Sequence, residues 1–308
     1  MRRTREISCK FNLEPQDCDW LIATLGRYGA EPLGETKDFA LYLDAPDAAI
    51  GNHGLALGIH RAGEITSDDV KTAVDKAARG LPAPNGWMRL VEPLSAATPV
   101  GARRWLQSLL RRQDAQQSLR VLFQIETQGS RWRVTAGGAN AEISLDRARI
   151  AANRKQASFA IVTFGCKASP AADFFRFLTE ICGPTKLRMS AEGIALRGYR
   201  FCGNLRDSHV SAFPPKLATN MDAATAFRTI ARACFDQFLL NEAAIRLTRE
   251  REAVHQCRVA LRRLSTGLRL FSSLVSGPGR DELRPELKQL AAHLQKARDL
   301  DVLTAEVI

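Results

Sequence analysis

The stretch from Glu252 to Phe271 constrains this chain more than any other. It reads as one helix with two faces. Val254, Cys257, Leu261, Leu264 and Leu268 recur at three- and four-residue steps and make an apolar stripe. His255, Arg258, Arg262 and Arg269 fall on another stripe. Residues seven apart on a helix nearly superimpose, so His255, Arg262 and Arg269 stack along one line, with no Asp or Glu among them. Like charges at such spacings repel. An anion lying across them relieves the repulsion, and guanidinium forks match phosphate oxygens. A solvated basic face is the competing reading of the same pattern.

The wider chain points the same way. Its formal charge is +11 over 308 residues, which favours polyanionic partners without choosing among nucleic acid, polyphosphate and an anionic surface. No apolar run approaches the ~20 residues that span a bilayer, so no membrane role is expected. The basic start has no apolar segment behind it and does not read as a secretory signal. Seven cysteines without CxxC spacing argue against a disulfide framework or a zinc site and fit a cytoplasmic setting.

Before the basic helix the chain alternates in the manner of strands. Glu6–Phe11 places Ile7, Cys9 and Phe11 on one face and Glu6, Ser8 and Lys10 on the other. Pro15 opens a helix through Leu25. Strands are expected at Phe39–Asp44 and Gly54–His60, and a helix over 101–118. Leu119–Glu126, Arg131–Thr135 and Ala141–Asp146 read as three short strands of an antiparallel meander. Ser158–Phe164 is continuously apolar, as in a buried strand, and Pro170–Cys182 is helical.

These segments resemble a CYTH domain. Glu6-Ile-Ser-Cys-Lys10-Phe11 stands where that family begins with a Glu-x-Glu-x-Lys strand. Tyr42-Leu-Asp-Ala-Pro46-Asp47, Arg131-Trp132-Arg133, Ala141 to Arg147 and Arg197-Gly198-Tyr199 resemble later signatures. The resemblance implies an eight-stranded antiparallel barrel enclosing a triphosphate tunnel, and, in active members, Mg²⁺- or Mn²⁺-dependent triphosphate chemistry. By that resemblance the tunnel remnants are Glu6, Lys10, His60, Lys71, Arg131, Arg133, Glu142 and Arg197, with Glu6 and Glu142 as the candidate metal ligands.

The departures are extensive. The middle carboxylate of the first strand is Ser8, and an Arg-x-Arg pair is replaced by Gly58 and His60. The late acidic strand reads Ala160-Ile-Val162-Thr-Phe164, with Ala160, Val162 and Phe164 expected to pack the barrel interior. A Ser-Lys pair before Arg197 is replaced by Gly193-Ile194. Hard metal ions need oxygen ligands, and each missing group typically costs a power of ten or more in rate. The expectation is a barrel that has lost catalysis. Glu142 and Asp146 share a strand face by even spacing and are expected on an exposed one.

From about Asn220 the chain resembles a CHAD domain, a helical family, through Asn241-Glu242, Glu252 to Leu264 and Ala297-Arg298-Asp299-Leu-Asp301. The resemblance implies a helical bundle with a basic surface that binds inorganic polyphosphate. The residues expected to bind are His255, Arg258, Arg262, Arg263, Arg269, Lys296 and Arg298, with Asp299 and Asp301 orienting arginines. Three helices are expected: Ala223 to about Leu247, the His255 helix to Val275, and a third from Asp281. The family's domain extends beyond Ile308, so the third helix is expected to expose an apolar side and to await the rest of the domain or a helical partner.

The expected architecture is therefore α+β: a CYTH-like barrel over 1–218 with a degenerate site, then an incomplete CHAD-like bundle over 219–308. Polyphosphate binding is the leading function. Tripolyphosphate hydrolysis with Mg²⁺ or Mn²⁺ is the alternative. Nucleic-acid binding ranks last, because the basic helix has no interleaved aromatics for stacking.

Overall fold

The computed structural model describes residues 7–77, 86–95, 97–167, 170–183, 187–203, 205, 209–275 and 277–306. The chain separates into two compact units. One comprises Met1–Glu92, Val100–Ser190 and Ile194–Asn204; the other comprises Pro93–Pro99, Ala191–Gly193 and Leu205–Ile308.

In the first unit the elements run β1 (Ile7–Leu13), α1 (Cys18–Arg27), β2 (Glu31–Asp44), α2 (Ala49–Asn52), β3 (Leu55–Ala62), α3 (Ser67–Ala77) and β4 (Met88–Pro93). There follow α4 (Ala102–Leu109), α5 (Gln113–Ser118), β5 (Arg120–Ala136), β6 (Ala139–Ala152), β7 (Lys155–Cys166), α6 (Ala171–Cys182), β8 (Arg188–Met189) and α7 (Ile194–Cys202). Eight strands form one sheet in the order β4-β3-β2-β5-β6-β7-β1-β8. The pairs from β3 through β8 are antiparallel. The expected strand number and sense are met, but hydrogen bonds do not close the sheet into a barrel: β4 and β8 stand at its two ends. β8 is only two residues long, too short to extend the ladder far.

The sheet has two unlike faces. Ala141, Ile143 and Leu145 of β6 join Phe11, Leu13, Ala160, Val162, Phe164 and Cys166 under Leu21 and Leu25 of α1 and Phe174 and Phe177 of α6. Ala160, Val162 and Phe164 thus pack against the helix layer, not into the interior expected for them. The run Phe159–Val162 is buried on both faces, so it carried no alternation from which to read direction. The opposite face of β7 carries Ile161, Thr163 and Gly165, whose neighbours on β1 are Asn12, Lys10 and Ser8.

β5 is one strand of 17 residues where two short strands were expected. Gly129, at its middle, is no break. A Cβ there would lie 2.5 Å from Thr36 Oγ1 and 2.9 Å from Asp146 Oδ1, so only glycine admits both neighbours. The expected helix over 101–118 divides into α4 and α5.

The second unit holds α8 (Ala223–Thr248), α9 (Arg251–Leu270) and α10 (Pro278–Glu306). The Asp222 side chain caps α8 by accepting from the Thr225 amide at 2.6 Å. α9 packs against both α8 and α10. Its seam with α8 is built of small residues, Ala233, Ala244, Ala253 and Ala260 among them, with Cys234, Cys257 and Leu261. Two polar side chains of α8, Gln237 and Asn241, are wholly buried and fully engaged. Asn241 grips the backbone of one residue: its Nδ2 donates to Val210 O at 2.8 Å and its Oδ1 accepts from Val210 N at 2.9 Å. Beside that grip, His209 Nδ1 lies 2.6 Å from Glu250 Oε1.

Candidate functional site

The basic line of α9 is a consequence of how α9 is buried. Ala253, Cys257, Ala260, Leu261 and Leu268 are committed to packing, which turns His255, Arg258, Arg262 and Arg269 toward α10. There they line an open cleft of about 1030 Å³. The facing wall is α10, which contributes Arg284 and Lys288, one helical turn apart. Leu261, Leu268, Leu287 and Ala291 line its apolar part. Apolar walls lower the local dielectric and strengthen attraction for an anion. Among the described residues Asp281 is the one carboxylate in the lining. Arg258 donates to Gln295 across the two helices. Among the described residues no carboxylate pairs with Arg262, Arg269, Arg284 or Lys288.

Of the residues expected here, four meet in the cleft: His255, Arg258, Arg262 and Arg269. Arg263 does not. It donates to Gln237 Oε1 at 2.9 Å and to Phe213 O at 3.1 Å, on the α8 side. Adjacent residues on a helix point about 100° apart, and these bonds hold Arg263 on the α8 side while Arg262 turns to the cleft. Lys296 is exposed and outside the lining. The side chains of Arg298, Asp299 and Asp301 lie outside the described residues. Arg284 and Lys288 were not anticipated, although their four-residue spacing was a visible signal. Burial pushes the Cys257 thiol up to about 12, so it is protonated and inert at neutral pH.

The polar face of the sheet is a second gathering of charge. Lys10, Thr163, Ser144 and Arg131 are successive cross-strand partners in one row. Burial raises the Asp146 carboxyl, Arg131 and Lys10 pull it down, and Asp38 pushes it up. The expectation that Asp146 is exposed with Glu142 therefore holds only for Glu142. Burial also raises Glu92, against a hydrogen bond from Tyr42 Oη at 3.1 Å and the charges of Lys10 and His60. Glu92 is on β4 and Lys10 on β1, near opposite ends of the strand order. Their electrostatic contact requires a strongly curled sheet. Arg197, on α7, reaches Asn12 Oδ1 at 3.5 Å and stacks 4.5 Å from the Phe159 ring centroid.

The remaining tunnel candidates are scattered. Glu6 lies outside the described residues. Lys71 is an exposed residue of α3, 3.6 Å from Asp68. Glu142 sits between Arg133 at 3.8 Å and Lys167 at 3.7 Å. Mg²⁺ and Mn²⁺ take several carboxylate or other hard oxygen ligands. β7 offers no carboxylate, and among the described residues no group of three His, Cys, Asp or Glu side chains suits a metal ion. The donors present do not fit the metal that the resemblance implies. Asp44, a buried carboxylate at the end of β2, is spoken for: it accepts from Ala45 N, Ile50 N, Gly51 N and Tyr199 Oη at 2.7–2.9 Å. No helix of the described residues is long and apolar enough to cross a membrane.

No curated protein matches the chain in sequence. Among solved structures, a candidate adenylate cyclase from Bacillus halodurans is 15% identical, covering 64% of this chain and 98% of its own, with a TM-score of 0.32. A candidate adenylyl cyclase from Hippeastrum with a dominant triphosphatase activity is 13% identical, covering 63% of this chain and 95% of its own, with a TM-score of 0.34. A third, from Vibrio parahaemolyticus, is 11% identical over 57% of this chain and 83% of its own, at 0.24. At these TM-scores the likenesses carry nothing about activity. The helices that form the basic cleft belong to the CHAD domain, whose family model matches residues 229–308.

Proposed function

We propose that the α9–α10 cleft binds inorganic polyphosphate and that the sheet unit beside it in the chain is a CYTH-type domain without catalytic turnover. One observation carries the first half: among the described residues, His255, Arg258, Arg262, Arg269, Arg284 and Lys288 converge on one cleft with a single acid, Asp281. A linear polyanion satisfies such a surface by laying successive phosphates against successive forks. Neutralising about six phosphates gives a slope near −4 in log affinity against log salt, at ~0.7 per contact for a single strand. The test is retention of long-chain polyphosphate by the full chain across a salt series, with single-stranded DNA as competitor. Polyphosphate should displace DNA and not the reverse; preference for DNA would reject the reading in favour of nucleic-acid binding.

The second half rests on the sheet's own charge balance and on its poor fit to a divalent metal. Tripolyphosphate hydrolysis is the second reading, favoured by the Lys10–Arg131 row. Carboxylates that could hold Mg²⁺ or Mn²⁺ are what it lacks among the described residues. A phosphate-release assay on tripolyphosphate with either metal separates the two.

A further inference from the structure

We infer that α10 is a ligand-dependent wall: polyphosphate bridges Arg284 and Lys288 to the arginines of α9 and clamps the two helices together. This rests on the reading of the cleft as a polyphosphate site. Three observations point to it. First, the two walls carry the same sign of charge, and Arg262, Arg269, Arg284 and Lys288 have no carboxylate partner among the described residues. Among the described residues no ion pair joins α10 to α9, and Asp281 is the one described acid on the α10 wall. Second, α10 gives up apolar contact along its length: Leu283 and Leu290 are each 38% exposed. Third, Pro285 lies inside α10 beside Arg284. Proline has no N–H, so the Asp281 carbonyl loses its helical partner and the backbone is weakened where the wall begins. α8 and α9, by contrast, are joined by a seam of small residues and by fully engaged buried amides.

A wall of this kind has a thermodynamic signature. The anion interacts more favourably when both helices face it, so its binding shifts α10 toward the docked arrangement. Local opening of α10 then becomes rarer in proportion to ligand saturation. The same linkage makes affinity depend on α10 even though the best-aligned arginines are on α9.

The experiment is amide hydrogen exchange on the full chain, with and without sodium polyphosphate at low salt, beside a binding titration. Two variants accompany it: Arg284→Glu with Lys288→Glu, and the neutral Arg284→Gln with Lys288→Gln. Both positions are exposed, and helical content by circular dichroism checks that each variant folds. In the wild type, polyphosphate should slow exchange of the amides from Leu283 to Gln295 by ten-fold or more, with a far smaller change in α8. The neutral pair should lower affinity about ten-fold and reduce the salt slope by about 1.4, at ~0.7 per lost phosphate contact. The reversed pair should slow α10 exchange without ligand, by pairing with Arg262 and Arg269, and should abolish the ligand's effect. Wild-type binding with unchanged α10 exchange, or full affinity and slope in the neutral pair, overturns the clamp and leaves the binding function standing. Absence of wild-type binding overturns both.

Discussion

The sheet's polar face and the α9–α10 cleft are both rich in cations, and they differ in what faces those cations. On the sheet, Arg131 and Lys10 act on Asp146, and Arg133 and Lys167 flank Glu142. Lys10 and His60 act also on Glu92. In the cleft, six described basic side chains share one described aspartate. A balanced face satisfies itself; an unbalanced one recruits its counter-charge from solution. Counting basic residues alone would have ranked the two sites together. What separates them is the register that sets carboxylates among the cations of the sheet, against a single described carboxylate, Asp281, in the cleft.

The comparison breaks most sharply under charge reversal. Arg258→Glu with Arg262→Glu should weaken polyphosphate binding at least 100-fold, measured by titration at fixed salt, since two contacts become repulsions. The same exchange on the sheet, Lys10→Glu with Arg131→Glu, should leave that affinity within about two-fold. Equal losses from both pairs would refute the distinction.

The next effect is on stability. Asp44→Ala strands three backbone amides and the Tyr199 hydroxyl in a buried site, and should cost about 3–5 kcal/mol in denaturant unfolding. A smaller loss would mean that this carboxylate is available for other work. Tripolyphosphate turnover is expected to be undetectable in the wild type with Mg²⁺ or Mn²⁺, by phosphate release. Ordinary enzymatic rates would show that the sheet's balance does not preclude chemistry.

The smallest effect is a pH dependence. Burial raises Asp146 above its ordinary 3.8. A raised carboxylate favours the folded state most below the unfolded value and loses that benefit as pH climbs through the folded one. Asp146→Asn should therefore raise the thermal midpoint slightly at pH 7, with the difference shrinking as pH falls through the raised folded value toward the ordinary 3.8. A lowered midpoint at pH 7 would mean that the cations Arg131 and Lys10 outweigh burial.

Legibility in the sequence followed the strength of the local period. The α9 line could be read outright, because a helix fixes the relative directions of His255, Arg262 and Arg269 whatever surrounds it. Its apolar stripe was read as well, through Cys257, Leu261 and Leu268. Which wall would face it could not be read. Arg284 and Lys288 lie on a helix whose rotation is decided by packing against α9. Arg263 shows the same limit, since its direction follows from Gln237 on a neighbouring helix. In the sheet, strict alternation placed Lys10 and Ser8 together on one face of β1, opposite Cys9 and Phe11. β7 defeated that reasoning because Ile161 and Val162 are both buried. The gap between the expected strands Leu119–Glu126 and Arg131–Thr135 holds Gly129, the point where Thr36 and Asp146 converge on one continuous strand.

The Asn241 grip on Val210 has a consequence for how this chain can vary. The amide reads only the backbone N–H and C=O of Val210, never its side chain. The clamp is therefore blind to residue type at position 210. A saturation library there should tolerate nearly every replacement for as long as the segment stays docked, with proline the exception because it has no hydrogen to offer. Position 241 should behave in the opposite way. Few side chains carry a donor and an acceptor on one short planar group, so the fixed half of the pair is the one that never leaves its helix.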